Sequence, residues 1–360
     1  MSRSPKVTDP NASSPDGETK REFRARLTIN DIARLSGVSK KTVSRVINKS
    51  PYVREDTRRR VEEIIAEHDY EPDPQARGLA FRRSFLVGMI YDNPNPQYVV
   101  NMQQGVLDAL SGTGLELVIR PCNRSDPNLL EGIRAFVELQ KLSGVVLPPS
   151  VSEDEGVVSV LKALDCPYVR IASIPLDAPD ATVVTHDRLG GEAAARLLAE
   201  LGHKRIAHIS GPSTFRSSFE RRAGFLDGLH AFGLELDPAL SMEGAYTYES
   251  GYDCGLTLLS SASRPTAIFT GNDEMATGVY RAAQELGLTI PDDLSVVGFD
   301  DAPVASRVWP ALTSVRLPIQ EMGRQAAQRL IDLQRNREDK LQSIEFHPVL
   351  VRRGSTGVLD

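Results

Sequence analysis

At 360 residues, with 41% hydrophobic and 25% charged side chains, the chain is long enough for two or three globular units, and no run of about 18 apolar residues is present to cross a membrane as a helix. The net charge of −6 argues against nucleic acid until its distribution is read: residues 21–50 hold Arg21, Arg24, Arg26, Arg34, Lys40, Lys41, Arg45 and Lys49 against only Glu22 and Asp31. A basic head on an acidic body is the footprint of a protein that meets phosphates at one end, the plainer alternative being a solvated basic face.

Residues 1–25 are too polar to bury a core and read as a disordered leader. They lack the apolar stretch of a secretory signal, so the cytoplasm is the expected compartment. Short helices follow from Thr28, which is placed to cap the first, with Asp31 three residues on in capping-box register and Ile29, Ile32, Ala33 and Leu35 as the apolar stripe. Gly37 breaks that helix at a tight turn. Ser39 can cap a second helix over Lys40–Asn48, turning Val43, Val46 and Ile47 inward and presenting Lys40, Lys41, Thr42 and Arg45 on its polar side. A third helix is expected over about Arg54–His68, with Val61, Ile64 and Ile65 as its stripe. In YEPDPQARGLAFRR, Asp73 suits an N-cap and Pro74 a first helical position, so Pro74–Ala80, too short to hold by itself, reads as a conditional hinge helix.

From Phe85 the pattern changes to short apolar strands. They are FLVGMIY at 85–91, LELVIR at 115–120, GVVLP at 144–148, YVRIA at 168–172, ATVVT at 181–185, RIAHIS at 205–210, AIFTG at 267–271 and LSVVGF at 294–299, with a strand-like FHPVLVRR near the end. Amphipathic stretches such as GGEAAARLLAELG lie between them, the alternation of parallel sheets covered by helices on both faces. About 275 residues exceed one such sheet, so two doubly wound lobes are expected, with ligands at the carboxyl ends of the strands.

The helix, tight turn and second helix of LTINDIARLSGVSKKTVSRVIN have the geometry of a helix-turn-helix, in which residues near the start of the second helix reach base edges in the major groove. Lys and Arg there favour guanine acceptors, while Ser39, Thr42 and Ser44 can bond phosphates and fix register. The stretch GVSKKTVSRVIN also closely resembles the head of the lactose-repressor (LacI/GalR) family. The resemblance implies Lys40, Lys41 and Arg45 as base readers and adds Thr28, Asn48, Tyr70 and Arg77 to the DNA-contacting set. It makes ARGLA a hinge helix in which Leu79 is a minor-groove wedge, inserted beside the same leucine of a second subunit. The family usually has Asn where this chain has Asp73, whose charge sits poorly beside phosphates.

The segments GHKRIAHISGP, SSFERRAGF, FTGNDEMATGV, LSVVGFDDAP and DNPNPQYV resemble the effector domain of the same family. By position, the resemblance implies Ser217, Arg221, Tyr246, Asn272, Phe299 and Asp300 as effector contacts from one lobe and Asp92, Asn93 and Tyr98 from the other. It implies a helical head at 26–71, a hinge at 72–83 and a body at 84–360 of periplasmic-binding-protein type. The N-lobe would take 84–185 and 319–345, the C-lobe 186–316 and 346–357. Carboxylate, amide and guanidinium groups beside an aromatic suit a polyhydroxylated ligand. Each has a plainer alternative: Asp300 capping a loop, Asn272 a turn, Arg221 pairing with Asp227 or Glu220. The purine-binding branch carries an Arg where this chain has Phe215, which favours a sugar over a purine. A homodimer on a pseudo-palindromic operator is implied, with no leucine heptad tail to join dimers.

Other signals lead nowhere in the sequence. GTGLE at 112–116 precedes a strand instead of opening a helix after one, so it is no dinucleotide fingerprint. The six histidines never fall at i, i+4 spacing, and Cys122, Cys166 and Cys254 are scattered, so neither a metal site nor a disulfide framework is expected. No GxSxG elbow is present, and no catalysis and no cofactor are expected. The competing classes are a periplasmic sugar carrier, an enzyme of sugar or nucleotide metabolism on the same fold, and a regulator of the same build that answers to a purine nucleoside or a protein partner.

Overall fold

The computed structural model describes residues 27–47, 50–70, 85–334 and 342–358. It divides into two units, a head and a body, with the division inside 71–84. The leader 1–25, the hinge 72–83 with Arg77 and Leu79, and Asn48 lie outside the described residues.

The head holds helices α1 (Ile29–Ser36), α2 (Lys40–Ile47) and α3 (Glu55–Glu67). At the start of α1 the Thr28 amide and hydroxyl both donate to the Asp31 carboxylate, at 2.9 and 2.7 Å. Those two bonds hold Asp31 below the usual carboxylate range. Gly37 ends the helix with φ +66°, a left-handed conformation that costs glycine nothing. Ser39 caps α2, its Oγ accepting the Thr42 amide at 3.1 Å. Ile32, Ala33, Val43, Val46, Val61 and Tyr70 form the head's apolar cluster. Leu35, expected in the α1 stripe, is instead 45% exposed. The helical period carries the inward face through Ile32, Ala33 and Ser36, and the buried Ser36 satisfies its hydroxyl on the Ile32 carbonyl at 2.6 Å.

The body holds two six-stranded sheets. The first is built from β1 (Leu86–Tyr91), β2 (Glu116–Pro121), β3 (Gly144–Leu147), β4 (Tyr168–Ala172), β5 (Thr182–Val184) and the short β11 (Ile344–Glu345). Its order is β11-β5-β4-β3-β1-β2 and every pairing is parallel. Helices α4 (Pro96–Leu110), α5 (Leu129–Gln140), α6 (Glu155–Ala163) and α11 (Ile319–Gln334) belong to this lobe. The second sheet is built from β6 (Ile206–Ser210), β7 (Ser241–Glu243), β8 (Ala267–Thr270), β9 (Ser295–Asp300), β10 (Thr313–Arg316) and β12 (Val349–Val351). Its order is β12-β10-β9-β8-β6-β7, parallel except where β12 runs against β10. With it go α7 (Asp187–Glu200), α8 (Arg216–His230), α9 (Tyr248–Leu259) and α10 (Asp273–Glu285).

The expected α/β body of two parallel-sheet lobes is therefore present. β3 and β9 are buried along their whole length, which is why they read as continuous apolar runs without alternation. β7, β10 and β11 were not expected; at two to four residues they are too short for any periodicity to register. The chain passes between lobes three times, after β5, after β10 and after β11. None of the described helices is long and apolar enough to cross a membrane.

Candidate functional site

On the head, α2 buries Val43 and Val46 and leaves Lys40, Lys41 and Arg45 exposed, with Thr42 and Ser44 half-buried beside them. Three cations therefore stand on the solvent side of an eight-residue helix whose entry is fixed by Ser39 and by the turn at Gly37. Thr28 and Ser39 are also exposed. Tyr70 is not: it retains 9% exposure inside the head's apolar cluster, and its amide bonds the Ile65 carbonyl at 2.9 Å. It has a packing role in the head, where the chain turns back onto α3 after Asp69 and seals the cluster.

In the body, one pocket collects residues from both lobes and from the passages between them. The N-lobe supplies Asn93, Asn95, Tyr98 and Pro149; the C-lobe supplies Phe215, Ser217, Arg221, Tyr246, Asn272 and Asp300. Thr185, Asp187, Leu317 and Met322 come from the passages or the helix starts beside them. These positions sit just beyond the carboxyl ends of parallel strands, where backbone and side chains are free to face a ligand.

Arg221 organises the C-lobe wall. Its Nε donates to Asp187 at 2.8 Å, one terminal nitrogen donates to the Gly271 carbonyl at 2.6 Å, and the other stands 3.5 Å from Asp300. The guanidinium lies flat over the Phe299 ring, 3.6 Å from its centre. Burial works against its charge, and Tyr246, Asp187 and Asp300 more than offset that, so Arg221 stays cationic. Asp300 is held at φ +99° at the end of β9, and burial pushes its carboxyl up to about 7, with Arg221 opposing and Asp187 reinforcing the shift. Its Oδ1 is the oxygen that faces Arg221, and the Tyr246 hydroxyl is buried on the Ser217 side of the wall. Tyr246 packs edge-on against Phe215, ring centres 5.3 Å apart. A carboxylate, a guanidinium and a phenol beside an aromatic pair are the kinds of group that line sites for polar ligands.

The expected site residues are brought together unevenly. Asn93, Tyr98, Ser217, Arg221, Tyr246, Asn272 and Asp300 all line the pocket. Phe299 sits beneath it, fully buried, as the floor under Arg221. Asp92 does not reach it: its carboxylate accepts the Arg124 amide at 3.0 Å and its carbonyl accepts the Ser150 hydroxyl at 2.9 Å, so it braces the loops behind the wall. Asn272 also caps α10 through Met275 and donates to the Tyr246 carbonyl, so the turn role weighed for it and the pocket position hold together. Neither alternative partner of Arg221 is used, because Arg188 takes Asp227 and Arg216 takes Glu220.

Sequence reasoning passed over Asp187, the strongest partner of Arg221, along with Thr185, Asn95 and Phe215 as lining residues. A signal existed for the first two, since THD follows directly on the predicted strand 181–185, where the strand-end rule applies.

The residues 28–73 match the model of the lacI family of bacterial regulatory proteins, and residues 195–356 match a periplasmic binding protein-like domain. The ribose operon repressor of Escherichia coli (strain K12) is 30% identical over 328 residues, 91% of this chain and 99% of that protein. The HTH-type transcriptional repressor PurR of Edwardsiella ictaluri (strain 93-146) is 34% identical over 337 residues, 91% of this chain and 96% of that protein. Among solved structures, the lac repressor dimer bound to operator and the anti-inducer ONPF superposes with a TM-score of 0.78 at 27% identity, covering 92% of this chain and 99% of that one.

Proposed function

The chain belongs to the lacI family of bacterial regulatory proteins, and from that premise we propose a dimeric repressor of carbohydrate uptake or catabolism genes whose inter-lobe pocket takes a sugar or sugar derivative. It is a DNA-binding transcriptional repressor with a small-molecule effector site. Acting on DNA, it works in the cytoplasm and turns nothing over.

The observation that supports a sugar is the wall made by Arg221, Asp187, Asp300 and Tyr246. A charged donor held between two carboxylates, with a phenol beside it, offers alternating donors and acceptors to vicinal hydroxyls. Phe215 and Tyr246 offer the apolar face on which a pyranose or furanose ring can rest. Phe215 stands where the purine-binding branch of the family places an arginine, and an aromatic there favours C–H surface over a base edge. The 34% identity to a PurR does not oppose this, since identity spread over the whole chain says little about a dozen lining residues.

Coupling follows from the topology. A ligand touching Asn93 or Tyr98 on one lobe and Arg221 or Asp300 on the other binds the closed arrangement better than an open one. Two polar contacts already span the cleft: Arg124 donates to the Thr214 carbonyl at 2.8 Å, and the Arg216 amide donates to Glu153 at 3.0 Å. The passages after β5, β10 and β11 transmit the change in lobe angle. The hinge at 72–83 with its Leu79 wedge, outside the described residues, completes the proposal: folding of that segment on operator DNA would be biased by about 1–3 kcal/mol through the body.

Two experiments test the reading. A thermal-shift and titration panel of pentoses, hexoses, disaccharides, sugar phosphates and nucleosides should give at least one sugar that raises Tm and changes operator affinity. A response confined to nucleosides would replace the sugar by a purine. On the head, Arg45→Ala should weaken specific operator binding by roughly 1–3 kcal/mol. Unchanged discrimination between operator and random duplex would remove Arg45 from base reading.

A further inference from the structure

A second group of chemistry-bearing residues lies beside the pocket and plays no part in it. β11 pairs with β5 in parallel register, Ile344 opposite Val183 and Glu345 opposite Val184. The Phe346 amide bonds the Val184 carbonyl at 2.8 Å, so the pairing continues past the strand ends. Carried two residues further, the same register sets His347 opposite His186. Residues i and i+2 of a strand share a face, which puts Glu345 and His347 on one side, with His186 beside them from the neighbouring segment. The side chains bear this out. The two imidazoles stack with ring centres 4.6 Å apart and 20° between planes, and His186 Nε2 lies 3.0 Å from a Glu345 oxygen. One ligand atom from each of the three residues falls within 4.8 Å of the others.

We propose that His186, Glu345 and His347 form a binding site for a divalent transition-metal ion of the zinc class. Two imidazole nitrogens and one carboxylate oxygen are the donors that zinc, nickel, cobalt and copper take, and three protein ligands leave a fourth position to water. A histidine-rich helix is not needed, because the three ligands come from two chain segments joined by a parallel ladder, a combination invisible to spacing along the sequence. The group is solvent-accessible, so an ion has a path in: His186 is half-buried and Glu345 and His347 are exposed.

The position gives the ion something to do. His186 stands between Thr185 and Asp187, both of which line the effector pocket, and Asp187 holds Arg221. Glu345 ends β11 and His347 lies in the passage that follows it, as His186 lies in the passage after β5. An ion held by all three would tie two of the three inter-lobe passages together and limit how they slide when the lobes change angle. This consequence rests on the effector reading above; the metal site does not.

The experiment uses the full-length, tag-free protein after chelator treatment. Titration with Zn²⁺ by calorimetry should give one ion per chain at micromolar concentration, and Co²⁺ should give the visible absorption of a four-coordinate site. His347→Ala and His186→Asn should each weaken binding by about tenfold or more. Asn is chosen at 186 because the residue has φ +48°, a left-handed conformation that Asn tolerates, and circular dichroism with operator binding checks that both variants fold. Absence of stoichiometric Zn²⁺ binding, or binding that both variants retain, overturns the proposal and leaves His186 and Glu345 as an ordinary hydrogen-bonded pair. Comparison of effector affinity with and without Zn²⁺ then reads the coupling. A sugar that binds equally in both states removes the coupling and leaves the metal site standing.

Discussion

The two walls of the inter-lobe pocket are made of different chemistry. The C-lobe wall is charged and already braced, with Arg221 fixed by Asp187, the Gly271 carbonyl and the Phe299 ring before any ligand arrives. The N-lobe wall is neutral: Asn93, Asn95, Tyr98 and Pro149 present amides, a phenol and a proline ring. Ordering costs were met on the C-lobe during folding, so a ligand that binds there first loses little additional conformational entropy. On the proposed function, the N-lobe closes over it with weaker groups and the energy of that closure is what is communicated to the rest of the chain, so that anchoring and signalling divide between the lobes.

The harshest way to break this division is Arg221→Leu. Removing the guanidinium leaves Asp187 and Asp300 facing each other in a buried site without their cation. Loss of one member of a buried pair costs about 3–5 kcal/mol, so the denaturation midpoint should drop markedly and the effector response should vanish. Stability within 1 kcal/mol of the parent, roughly the effect of an average substitution, would show that the C-lobe wall is not held by this residue.

Next in size is a pH effect specific to the charged wall. Burial, above all, pushes the Asp300 carboxyl up to about 7 in the folded protein from its ordinary value of 3.8. The folded state thus holds this proton more tightly than the unfolded chain does. The stability it contributes is complete below 3.8 and is lost as pH rises through about 7. Ligand hydroxyls donate better to the ionised form, so effector affinity should climb by about tenfold between roughly pH 6 and 8 while unliganded stability declines. Asp300→Asn should flatten both trends and weaken binding at the upper end. Persistence of the affinity slope in that variant would assign it to another group.

What the sequence disclosed differs between the same two regions for a physical reason. The head's function was readable because Lys40, Lys41 and Arg45 share one short helix with Gly37 and Ser39 at its entrance, all within nine consecutive positions. The central strands of the lobes, such as β3 and β9, were readable because burial on both faces makes them apolar throughout. The pocket was readable only where a residue type matched a familiar segment, as for Arg221 and Asp300. Asp187 escaped because nothing in its neighbourhood shows that it meets an arginine 34 residues away. The resemblance put Asp92 beside Asn93 in the pocket, yet successive residues leaving a strand point to opposite sides, and of the two only Asn93 lines it. It put Tyr70 among the DNA contacts, and what local sequence could not show is that its ring packs into the head's apolar cluster.

The finest discrimination between the walls is Asn93→Asp. The Asn93 side-chain oxygen Oδ1 accepts the Asn95 backbone amide at 2.9 Å, and that bond shapes the turn leading into α4. Aspartate retains an oxygen for the same bond, so the turn survives, but the side chain can no longer donate into the pocket. If the N-lobe contributes closure through neutral hydrogen bonds, the loss should be that of one such bond, about 0.5–1.5 kcal/mol in effector affinity, with thermal stability nearly unchanged. The change in operator affinity on saturation with effector should shrink as well, because weaker closure biases the lobes less. A loss as large as that of Asp300→Asn would place anchoring on both lobes, and the unequal division of labour would have to be abandoned.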